Sequence, residues 1–186
     1  MVEPFLLHFF THSAHANTRG TFTTPESSLL GNRAAVYAYA SAGVANVPLC
    51  IKWALCFEEP ETRTLWVAKA TPRDWLVPGE APVIATNLTT RYGRISFSLQ
   101  VVAAGTSAYT VRANVTLGPA AVPPGGVRVR VRAPLQHAGR LSAVTVGGEA
   151  WSAFNAAEET IDFTAAALTP DRIENGLPQI VATFAA

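Results

Sequence analysis

Up to Glu59-Pro60-Glu61 the apolar residues recur at helical spacing, and beyond it they alternate with polar ones between closely spaced turns. Phe5, Leu6, Phe9 and Phe10 form one apolar stripe. Pro4 suits a first helical turn, where its missing N–H costs nothing. Asn17-Thr18-Arg19-Gly20 ends that helix, and Thr21 to Gly31 reads as loop or short strand. A second helix is predicted from Val47 to Glu58, capped by Ala45-Asn46 with Pro48 at its start. Leu49, Ile51, Trp53, Ala54, Leu55 and Phe57 leave it few polar positions. A helix apolar nearly all round belongs in an interior. Its expected cover is further polypeptide of a larger protein, or a second copy of the chain.

After the boundary the period falls to two. Ile95, Phe97, Leu99 and Val101 alternate with Ser96, Ser98 and Gln100. Tyr109, Val111, Ala113, Val115 and Leu117 repeat the pattern. Val127, Val129 and Val131 alternate with Arg128, Arg130 and Arg132, after a break at Pro123-Pro124-Gly125-Gly126. Further strands are predicted at Thr64–Ala68, Pro82–Ala85, Ala143–Gly148, Glu159–Phe163 and Gln179–Phe184. About eight short strands with one apolar face each predict a mainly β fold, an antiparallel β-sandwich. The expected organisation is a helical segment over residues 1–60 and a sandwich domain over 61–186. No repeat of fixed period points to a propeller or solenoid.

The chain has 186 residues, of which 49% are hydrophobic and 15% charged. Roughly 25% charge is usual in a free-standing soluble domain, so part of this surface is expected against protein. A net charge of +1 gives no electrostatic case for nucleic acid or an anionic membrane. No apolar run reaches the ~20 residues of a membrane span. Cys50 and Cys56, six residues apart in a predicted helix, point about 240° away from each other and do not bridge locally. Unbridged thiols, and a start without the basic region of a signal peptide, point toward a reducing, cytoplasmic setting. Asn87-Leu88-Thr89 and Asn114-Val115-Thr116 match the glycosylation triplet, which matters only in a eukaryotic secretory setting.

Several stretches together resemble a known arrangement. They are Val47-Pro48-Leu49 through Phe57-Glu58-Glu59-Pro60, Leu65-Trp66-Val67-Ala68-Lys69-Ala70-Thr71-Pro72-Arg73-Asp74-Trp75-Leu76, Thr89-Thr90-Arg91-Tyr92-Gly93-Arg94-Ile95-Ser96-Phe97, and Val144-Thr145-Val146-Gly147-Gly148 with Trp151. They resemble the C-terminal end of large bacterial proteins similar to six-hairpin glycosidases. In that family a toroid of paired helices, the (α/α)6 barrel, precedes a β-sandwich. The resemblance implies a carbohydrate-active parent whose catalytic carboxylates lie inside the toroid. It implies no catalytic pair on this chain, which has room for only the last helices.

Residue by residue, the candidate chemistry is sparse. Glycoside hydrolysis needs two carboxyl groups flanking the scissile bond. Glu58, Glu59 and Glu61 cluster at the predicted helix exit and read as solvated. Glu26, after Pro25 in a Thr/Ser-rich loop, has a site-like setting, although polar turns look the same. His8, His12 and His15 recur at i, i+4, i+7, but the Glu of the zinc-protease motif is missing and no Cys or Asp completes a shell, so no metal is assigned. His15 and Arg19 fall at the rim of any toroid pocket. Trp53 and Trp66 sit in apolar patterns and read as core. Trp75, beside Arg73 and Asp74, reads as partly exposed, either a sugar-stacking platform or packing between helix and sheet. Tyr92 is a second aromatic candidate. The arginine ladder Arg128, Arg130 and Arg132 reads as an exposed face paired with acidic neighbours. Asp171 to Gly176 reads as a helical turn closed by glycine, without the ligand alternation of a calcium loop.

These readings lead to a non-catalytic sandwich module that packs on, and supports, a helical toroid domain or self-associates, and that needs no cofactor. One alternative is a carbohydrate-binding module with a site around Trp75 or Tyr92. Another is a small glycosidase using Glu26 with a His or Asp from the β part.

Overall fold

A computed structural model describes residues 41–105, 108–118 and 121–185. The first predicted helix, the histidine stripe, His15, Arg19 and Glu26 lie outside the described residues. The chain divides into two units, Met1–Trp53 and Ala54–Ala186.

Helix α1 spans Ser41–Leu55, earlier than predicted at both ends, with Pro48 inside it instead of at its start. A proline there removes one intrahelical hydrogen bond without ending the helix. Within the described residues the helix is only partly covered. None of residues 48–55 is fully buried, and Leu49 and Trp53 are 37% and 47% exposed. Trp53 is therefore not the core residue that its apolar neighbours suggested.

Among the described residues eleven strands follow: β1 (Cys56–Glu58), β2 (Leu65–Val67), β3 (Val83–Thr90), β4 (Gly93–Ala104), β5 (Ala108–Leu117), β6 (Val127–Arg130), β7 (Leu141–Val146), β8 (Glu149–Ala150), β9 (Phe154–Asn155), β10 (Thr160–Phe163) and β11 (Ile180–Ala185). They form two sheets, in the orders β1-β2-β6-β10-β9 and β3-β4-β5-β11-β7-β8. Eight of the strands are those the alternation predicts. The added strands, β1, β8 and β9, are two or three residues long, too short to display a period. Cys56–Glu58 prolongs the apolar run of α1, so only pairing with β2 distinguishes it as strand.

Among the described residues the pairing is antiparallel with one exception, β2 beside β6, which run parallel. The chain leaves the first sheet after β2, builds β3 to β5 of the second, and returns as β6; parallel neighbours need such a long crossover. The inward faces meet in one core. Leu65, Val67, Val127, Val129, Ile161 and Phe163 come from the first sheet, and Phe97, Leu99, Val111, Val115, Ile180 and Phe184 from the second. Register pairs Phe97 with Val115 and Leu99 with Ala113, so the alternation read along each strand becomes a shared apolar face.

The turn before β6 depends on a close approach. Gly126 has φ +80°, and a Cβ there would lie 2.1 Å from the Phe163 carbonyl oxygen. Near the C-terminus, α2 (Pro170–Glu174) is capped by the Thr169 hydroxyl and followed by Gly176 at φ +87°, the predicted glycine-closed turn.

The outer face of the first sheet carries one cross-strand row: Phe57, Trp66, Arg128 and Asp162 stand opposite one another on successive strands. Lys69 Nζ lies 3.7 Å from the Phe57 ring centroid, and both it and the Arg128 guanidinium lie 4.9 Å from that of Trp66. Arg128 also pairs with Asp162. The rest of the ladder departs from the expected exposed, acid-paired face, Arg130 in its partners and Arg132 in its burial. Arg130 donates to the carbonyls of Glu158 and Lys69, and Arg132 lies beyond the strand, buried, donating to the Thr71 carbonyl.

Candidate functional site

Of the three junction carboxylates, Glu58 and Glu59 are engaged, contrary to their reading as solvated, whereas Glu61 is exposed, as read. Glu58 lies in β1 and accepts from Arg91 Nε at 2.6 Å. Glu59 accepts from the Trp66 indole N–H at 3.0 Å and from the Thr62 hydroxyl at 3.2 Å. The indole hydrogen bond is the largest cause holding the Glu59 carboxyl below its ordinary pKa. Lys69 is pushed down, chiefly by burial against its two rings.

Trp75 closes a single 3-10 turn, Arg73–Trp75, between β2 and β3. Its ring is 44% exposed, as its charged neighbours suggested. It borders an open groove of about 360 Å³ lined by Asp74, Glu80, Ala81, Pro82, Val83 and Ile84. Ile84, 62% exposed, and Val83 come from β3, which forms the free edge of its sheet among the described strands. The groove thus joins a flat aromatic face, an aliphatic wall and two carboxylates, with no basic residue in its lining among the described residues. An indole face takes C–H groups or a cation, and carboxylates accept hydrogen bonds from hydroxyls or ammonium groups.

The turn is anchored at both ends. Arg73 forks onto the Glu159 carboxylate through two bonds of 2.9 and 2.7 Å and also donates to the Ala133 carbonyl. Glu159 is fully buried, at φ +59°, and also accepts from the Gly139 N–H at 3.1 Å. Leu76, next after Trp75, is buried, and its carbonyl accepts from the Tyr109 hydroxyl. Burial pushes the Tyr109 phenol up to about 12.

Tyr92 does not join this site. It lies beyond the far end of β3, an eight-residue strand, and so roughly 25 Å from the groove. Its ring packs on the core with Leu65, Ile95 and Ile173 around a narrow crevice, and its hydroxyl reaches the Arg63 carbonyl at 3.5 Å. The remaining candidates, His15, Arg19 and Glu26, lie outside the described residues. Sequence reasoning missed Glu80 and Ile84, although both follow Trp75 within ten positions and the intervening Val77-Pro78-Gly79 announces a turn. It read Glu159 only as the start of a strand.

Among the described residues no group of three His, Cys, Asp or Glu side chains is arranged to hold a metal ion, and no helix is long and apolar enough to cross a membrane. Among the described residues Cys50 is partly exposed and Cys56 buried, and neither is in a disulfide. No family model, no curated protein and no solved structure matches the chain.

Proposed function

We propose that this chain is a non-catalytic β-sandwich module of a glycoside-hydrolase-like protein, and that it contacts carbohydrate through the groove beside Trp75. One observation carries the reading: a tryptophan 44% exposed at the border of a groove that also presents the carboxylates of Asp74 and Glu80. Large aromatic rings are ordinarily buried for the area they remove from water. A ring held exposed beside hydrogen-bonding groups suits the alternating apolar and hydroxylated faces of a pyranose. Titrating the full chain with soluble cello-, xylo- and chito-oligosaccharides, followed by calorimetry, tests this. Saturable binding of one of them, lost in Trp75→Ala, is expected. Absence of heat with all three, or an unchanged isotherm in Trp75→Ala, rejects it.

A second reading has the sandwich support a helical toroid domain, the partner that the resemblance implies. The exposure of Leu49 and Trp53 on an otherwise apolar helix favours it. The chain then self-associates when isolated, and Leu49→Ser with Trp53→Ser reduces that association. A monodisperse monomer by light scattering at high concentration contradicts this reading.

A further inference from the structure

We infer that Glu159 and Tyr109 are positioning residues for the Trp75 platform, gripping from opposite sheets the turn that carries it. The inference rests on the reading of the Trp75 groove as a sugar site. A helical turn of three residues has no stability of its own, because nucleation fixes several dihedrals for one hydrogen bond. Pro72 supplies no side-chain cap to the Arg73–Trp75 turn. Two long-range side-chain contacts flank the indole instead. On one side Arg73 is held by Glu159, which immediately precedes β10 in the first sheet. On the other, the Leu76 carbonyl is held by Tyr109 of β5 in the second sheet.

Each anchor is itself fixed. Glu159 accepts from the Gly139 N–H, and its own carbonyl accepts from the Val131 N–H at 2.9 Å. The Tyr109 ring stacks on His137, with centroids 4.7 Å apart, and meets the edge of Phe184 at 6.3 Å. Neither Glu159 nor Tyr109 lines the groove. Both therefore act on a ligand through the turn that carries Asp74 and Trp75. A site whose supporting residues are loosened loses affinity without losing any direct contact.

The test uses Glu159→Gln, which keeps the side chain's size and removes its charge, and Tyr109→Phe, which removes only a hydroxyl. The Trp75 indole N–H resonance, assigned by its absence in Trp75→Phe, reports the platform directly. Both variants are expected to shift or broaden that resonance while leaving the Trp53 and Trp151 indole signals in place. Both should also weaken oligosaccharide binding about fivefold or more, the worth of one ordinary hydrogen bond. If Glu159→Gln does not fold, Tyr109→Phe alone decides. An unmoved Trp75 resonance with unchanged affinity overturns the inference. If the wild-type chain binds none of the three oligosaccharides, the sugar reading fails, and positioning for that ligand fails with it. The resonance then still tells whether the two residues orient the ring.

Discussion

Arg73 and Glu159, 86 positions apart in the chain, meet as a bidentate ion pair whose side chains are only 13% and 1% exposed. The pair fastens the loop between the sheets to the turn before β10. It also gathers main-chain groups, since Ala133 accepts from the guanidinium and Gly139 donates to the carboxylate. A buried carboxylate is tolerable only with such a complement of donors.

Removing one partner strands the other. Arg73→Ala should destabilise the chain by about 3–5 kcal/mol, the usual cost of leaving a buried charge uncompensated. Glu159→Gln added to Arg73→Met should recover part of that loss. Urea unfolding of the two variants beside the wild type checks it, and a double variant no more stable than Arg73→Ala contradicts the assignment.

The tryptophans should separate by burial. Trp66→Ala removes a ring only 9% exposed, together with its contacts to Lys69, Arg128 and Glu59, and should cost about 3 kcal/mol. Trp75→Ala, at an exposed position, should change stability by roughly 0.5 kcal/mol or less. Thermal unfolding of both variants measures the difference, which matters because binding losses in Trp75→Ala are then losses of contact and not of fold.

Two glycines of similar backbone angle should respond differently. Gly126 and Gly148 have φ of +80° and +87°, so alanine carries a left-handed penalty of about 1 to 2 kcal/mol at each. At Gly148 a Cβ meets nothing within 4 Å, whereas at Gly126 it lies 2.1 Å from the Phe163 carbonyl oxygen. Gly126→Ala should therefore be clearly the more destabilising, and equal melting temperatures would show that the Gly126 turn gives way easily.

Stability should also fall at high pH through Tyr109. Its folded pKa, near 12, is above the value of about 10 for an unfolded tyrosine. The folded chain thus keeps a proton that the unfolded chain releases. This contribution is fully present below pH 10 and is lost as pH rises toward 12. A phenolate absorbance titration with parallel melting curves should show one late-ionising tyrosine, absent in Tyr109→Phe. Ionisation of all tyrosines near pH 10 in the folded chain would contradict the burial argument.

The alternation of Ile95 to Val101, of Tyr109 to Leu117 and of Val127 to Val131, with five shorter apolar runs, was enough to determine two-faced sheets and eight of the strands, because the period of two is a local property of extended backbone. Turn chemistry at Pro123 to Gly126 and Thr169 to Gly176 was local in the same sense. What only the tertiary structure decided was pairing. Cys56–Glu58 is a strand because β2 lies beside it, and β2 runs parallel to β6 because the chain crosses to the other sheet between them. Trp75 was legible as an exposed ring from its neighbours Arg73 and Asp74, but its clamp was not. Glu159 and Tyr109 reach it through contacts 86 and 33 positions long, and no period in the sequence encodes which distant donor meets which acceptor.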